Sequence, residues 1–153
     1  TNYVDCIHVF QNHHPELAEE IEKFFQESWM AKVYTPIEQN MILYNKAQEL
    51  GYHIYFLTNY SSDGFSYLEE NYDFIRNAHG RIVSSHVHCC KPERKIFELL
   101  LNKYQLIASE CLFFDDNIIN IQAAKEIGIN AVLFNDIQEA LSVLYSGKEG
   151  CNC

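Results

Sequence analysis

The sequence predicts an α/β fold, a Rossmann-like parallel sheet with flanking helices, and three observations carry that expectation. Short apolar runs at 53–57, 81–84, 111–114 and 131–134 have strand length, and amphipathic helical patterns fill most of the chain between them. The stretch CLFFDDNIINIQAAKEIGINAVLF is a complete strand–turn–helix–Gly–strand unit. Polar residues stand at the exits of two runs: Thr58-Asn59 after the first, Asp115-Asp116 after the third. Open parallel sheets bind ligands at the carboxyl ends of their strands, so both exits fall on the edge where chemistry is expected.

The N-terminal segment 1–11 has no clean period. Val4, Ile7 and Phe10 would share a helix face, while 3–10 could equally be a strand. His13-His14-Pro15 opens a helix, with Glu16, Glu19 and Glu20 at its positive end and Leu17, Ile21, Phe24, Phe25 and Trp29 on its apolar face. Thr35-Pro36 starts another, with Glu38 completing a capping-box pattern. Its buried stripe is Ile37, Met41, Tyr44, Ala47 and Leu50, and Gly51 ends it. The strand HIYFL follows. Residues 61–79 are polar and aromatic, with a helix predicted around 65–72 and a loop after it. RIVS reads as a strand. His86, His88, Cys89 and Cys90 lack a second ligand pair at zinc spacing, so no metal is assigned to them.

Lys91-Pro92 precedes a helix through Tyr104, with Ile96, Phe97, Leu100 and Leu101 facing the core. A helix dipole disfavours a cation at that end, so Lys91 makes most sense with an anion opposite it. In the last βαβ unit, Ile118, Ile121, Ala124 and Ile127 recur every third position, and Gly128 closes the helix. Asp115 and Asp116 are adjacent anions, which implies a compensating cation, either a lysine or a hard metal such as Mg²⁺. Capping by Asp116 and Asn117 explains one carboxylate and leaves the second unexplained. A terminal helix is predicted over 136–145.

A net charge of −10 argues against nucleic acid and against an anionic membrane surface as partners, because both require a basic face. No apolar run approaches the ~20 residues of a membrane span. The six cysteines include no CxxC, which suits free thiols and a cytoplasmic location. The chain opens on Thr1 and its first methionine is Met30, so a processed or partial product is expected.

In order, LTN at 57–59, KP at 91–92 and FFDDN at 113–117 resemble the motifs of the haloacid dehalogenase-like superfamily, mostly Mg²⁺-dependent phosphatases. SSHVHCCKPERKIFELLL and LFFDDNIINIQAAKEIGINAVLF look most like its small-cap branch of sugar-phosphate phosphatases and epoxide hydrolase N-terminal domains. The tail at 147–153 is expected from its own residues to be disordered. The resemblance implies a helical cap remnant at 1–33 and an α/β core at 34–146. It implies further that Thr58, with Asn59 beside it, binds the phosphoryl group of a small phosphorylated metabolite. Lys91 would balance the charge, Asp116 would ligate Mg²⁺, and Asp115 would be the accompanying acid.

The family's first motif, an aspartate pair DxD that supplies the nucleophile, does not occur in this sequence. Asp5 has Ile7 two residues on. In the family that motif ends the central strand, between those leading to Thr58 and Asp115. The expectation is therefore a chain inactive by itself, its sheet completed by an N-terminal segment, by 3–10, or by a partner in an oligomer. The alternative is a catalytically dead binding or assembly module.

Overall fold

The structure, a computed structural model, describes residues 3–24 and 34–149. The N-terminal ambiguity resolves as helix. Helix α1 spans Tyr3–His13, a 3₁₀ turn covers Pro15–Leu17, and α2 spans Ala18–Phe24. Residues 3–10 therefore do not supply a strand to the sheet, and Pro15 opens a short turn between two helices. Phe25, Trp29 and Met30 lie outside the described residues.

Helix α3, Glu38–Glu49, starts later than its sequence pattern suggests. Ile37 is its N-cap residue, in an extended conformation and with no side-chain cap, so the Thr35–Glu38 capping box does not form. Ile37 is 64% exposed and drops out of the buried stripe. Gly51 takes φ 76, the left-handed conformation that ends a helix at little cost for glycine.

The remaining elements alternate. Strand β1 is Tyr55–Thr58, α4 Ser62–Asn71, α5 Asp73–Arg76 and β2 Gly80–Val83. A short α6, Ser84–Val87, precedes α7, Arg94–Tyr104. After a 3₁₀ turn at Ala108–Glu110 come β3, Leu112–Asp115, α8, Ile118–Glu126, β4, Asn130–Leu133, and α9, Ile137–Glu149. The last helix runs past the expected core boundary at 146. Gly147 lies within it, close enough that a Cβ there would meet the Tyr52 hydroxyl at 2.9 Å. Residues 150–153 lie outside the described residues.

Both strand pairs are parallel. β1 pairs with β2, with Thr58 opposite Val83, and β3 pairs with β4, with Asp115 opposite Leu133. Among the described residues no ladder joins the two pairs. They nevertheless share one core. Leu57 and Ile82 from the first pair cluster with Ala131 of β4 and with Ile121 and Ala124 of α8, and Ile96 and Phe97 of α7 are fully buried in the same cluster.

On the far side of β2, the Tyr104 phenol accepts from the Arg81 N–H at 2.8 Å and donates to the Arg81 carbonyl at 3.1 Å. Gly80 makes room for that ring, since a Cβ there would lie 2.2 Å from Tyr104 Cζ.

Candidate functional site

Three chain exits build the site. β1 ends at Thr58, β3 ends at Asp115, and a loop between α6 and α7 carries Lys91. That loop is tied at its base by Glu93, whose N–H donates to the Cys90 carbonyl at 2.8 Å. The Glu93 carboxylate in turn accepts from the Cys90 N–H at 3.0 Å and from its thiol at 3.3 Å. Accepting from the thiol, Glu93 holds the Cys90 pKa above its ordinary value.

Lys91 reaches across to β3. Its Nζ lies 2.7 Å from Asp115 Oδ2, with side-chain exposures of 12% and 5%, and 5.6 Å from the centroid of the Phe113 ring. The other Asp115 oxygen accepts from the Asn117 N–H at 2.9 Å and from the Asn120 side-chain amide at 2.9 Å. Burial pushes the Asp115 carboxyl up. Hydrogen bonds from Lys91, Asn120 and Asn117, with the lysine's charge, outweigh burial and leave it below its ordinary range.

Asn59 faces the lysine's backbone. Its side-chain oxygen accepts from the Lys91 N–H at 2.8 Å and its amide donates to the Lys91 carbonyl at 2.9 Å. Direct bonds thus join Asn59, Lys91 and Asp115, and Thr58 and Asp116 adjoin them in the chain. Asp116 is exposed, and among the described residues neither it nor the Thr58 hydroxyl has a side-chain partner. The cap of α8 is Asn117, whose side-chain oxygen accepts from the Ile119 N–H at 3.0 Å.

Asn120 was not visible as a site residue in the sequence. It is 6% exposed on α8 between two isoleucines, and its one signal is a polar residue on the buried face of an apolar helix. The two acids differ accordingly. Asp115 is saturated by a cation and two amide donors, while Asp116 is an open carboxylate beside it.

No cluster of three or more metal-ligating side chains forms among the described residues. At this rim, among the described residues, Asp116 offers a carboxylate without a side-chain partner. Mg²⁺ is commonly held by one or two carboxylates, with waters and substrate phosphate completing its shell, so these residues suit a partial Mg²⁺ site.

Comparison with known proteins bears on the family and the fold. Residues 9–128 match the model of the haloacid dehalogenase-like hydrolases. This chain belongs to that family. Its fold is shared with a HAD family enzyme from Bacteroides thetaiotaomicron, at 20% identity and TM-score 0.66, over 94% of this chain and 79% of that one. A hydrolase from Streptococcus pneumoniae TIGR4 matches at 24% identity and TM-score 0.64, over 85% and 67%. A variant of the Bacteroides enzyme, crystallised with magnesium and inorganic phosphate, matches at 20% identity and TM-score 0.58, over 80% and 68%. The hydrolase family and the α/β fold expected from its sequence are thus those of this haloacid dehalogenase-like chain.

Proposed function

We propose that this haloacid dehalogenase-like chain carries the phosphate-facing part of a Mg²⁺-dependent phosphomonoester hydrolase site for a small phosphorylated metabolite. The observation that supports it most is the buried Lys91–Asp115 pair with Asp116 open beside it. Phosphoryl transfer is chiefly positioning and charge stabilisation, so donors and cations around one centre are what it requires.

Thr58 has a free hydroxyl at the end of β1 to hydrogen-bond a phosphoryl oxygen. Lys91, held by Asp115, presents positive charge to the same rim. Asp116 would ligate Mg²⁺, with Asp115 as the acid behind it. The ion, when bound, neutralises charge on phosphoryl oxygens. The Bacteroides neighbour crystallised with magnesium and phosphate supports that ligand chemistry by analogy. Free thiols at Cys6, Cys89, Cys90 and Cys111 support a reducing, cytoplasmic setting.

The nucleophile is another matter. No DxD occurs in the sequence, and Asp5 lies within helix α1 instead of at the end of a strand. This polypeptide alone is therefore expected to be inactive or nearly so. In a phosphate-release assay with Mg²⁺ and p-nitrophenyl phosphate, turnover should stay at background, while isothermal titration should detect weak Mg²⁺ binding that Asp116→Asn removes. Rapid Mg²⁺-dependent turnover lost in Asp5→Asn would overturn the placement of the site.

The two unjoined ladders favour a second reading, a binding or assembly module whose sheet is completed by a strand from another segment or a partner chain. Light scattering across a concentration series separates the two, because self-association through the gap would appear as a concentration-dependent mass.

A further inference from the structure

We infer that Asn59 is a positioning residue for Lys91. The expectation from sequence placed Asn59 with Thr58 on the phosphoryl group. In the structure both ends of its side-chain amide are already used, the oxygen by the Lys91 N–H at 2.8 Å and the nitrogen by the Lys91 carbonyl at 2.9 Å. A side-chain amide has two N–H donors and an oxygen with two lone pairs, and here one donor and one lone pair serve a single peptide residue, as a backbone neighbour in a ladder would. A substrate oxygen could take only the amide's second N–H, in the orientation that the reciprocal pair with Lys91 sets.

The clamp acts where, among the described residues, no backbone ladder ties the two strand pairs. Strands β1 and β3 share no ladder, and Lys91 belongs to a loop rather than to either strand. Asn59 fixes the lysine's backbone to the exit of β1, and the Nζ–Asp115 contact fixes its far end to the exit of β3. Holding only the Nζ end would leave a flexible four-carbon stem attached to a movable loop. With both ends held, the ammonium has one position. The inference rests on the proposed function only in taking Lys91 as the cation that meets phosphate.

The test is acylation of the full chain with sulfosuccinimidyl acetate, read peptide by peptide by mass spectrometry, with Lys103 and Lys125 as internal controls. In the parent chain Lys91 should react slowly. Asn59→Ala should raise the Lys91 rate about ten-fold relative to both controls, the scale expected for losing two modest hydrogen bonds. Asn59→Asp, which keeps the acceptor for the Lys91 N–H and loses the donor, should fall between.

A Lys91 rate unchanged in a folded Asn59→Ala chain overturns the inference. If that variant fails to fold, hydrogen exchange on the parent chain decides. A slowly exchanging Lys91 amide is expected, and exchange at the free-peptide rate overturns it. Inorganic phosphate with Mg²⁺ tests the functional reading separately, since it should slow Lys91 acylation further if the lysine meets phosphate.

Discussion

Lys91 and Asp115 form a pair with little access to water, and this fixes what each substitution does. Removing one member of a buried pair strands the other, which typically costs about 3–5 kcal/mol. Lys91→Met should therefore destabilise the chain by about that amount in urea unfolding, and Lys91→Met combined with Asp115→Leu by markedly less. The pH dependence follows from the lowered pKa of Asp115. Its folded pKa lies below the ordinary value of 3.8, so its contribution is present at neutral pH and is lost as pH falls through the folded pKa. Acid titration of stability should be steeper in the parent chain than in Asp115→Asn below about pH 4.

The acids and the lysine were legible in the sequence because charged residues stood out at the ends of apolar runs. The bonds of Asn59 to Lys91 went unforeseen and Asn120 was missed for a common reason. An amide can serve either a ligand or the protein's own polar groups, and residue order does not say which.

Helices and strands were legible to within a few residues wherever burial follows the pattern. α7 buries Ile96, Phe97 and Leu100 as its spacing predicts. The stripe on α8 was read too simply, since a three-residue repeat drifts around a helix of 3.6 residues per turn. Ile121 and Ala124 are buried, but Ile118 is 50% exposed and Ile119 55% exposed. The helix instead turns Asn120 inward to Asp115.

Its N-cap is a separate determinant. Asn117→Ala should cost about 1 kcal/mol, measured by thermal unfolding, with the loss confined to stability. Gly80→Ala should be more severe than an ordinary strand substitution. The new methyl needs the space the Tyr104 ring fills, and crowding of that kind costs about 1–3 kcal/mol. Tyr104→Phe combined with Gly80→Ala should recover little, because the ring itself is the obstacle.

Among the described residues both strand pairs pack on one shared cluster, a smaller one gathers Phe65, Ile75 and Val83, and the sheet is interrupted. The shared cluster around Ile96 and Phe97 was predictable from the helix faces, and the break between β1 and β3 falls where the absent first motif placed it. Asn130 and Phe134 donate to the carbonyls of Cys111 and Asp115, which aims those groups of β3 at β4. The alternating residues Leu112 and Phe114 aim theirs the other way, toward the gap. Hydrogen exchange should therefore be faster at Leu112 and Phe114 than at Phe113 and Asp115, and should slow at those two sites if an added chain completes the sheet.

The phenol of Tyr104 gives this a direction. It consumes the outward N–H and carbonyl of Arg81, so a strand arriving at that margin meets an aromatic ring in place of a template. Fibril-like stacking of molecules outward from β2 is thereby blocked, and polymer growth on that flank would first have to displace the tyrosine.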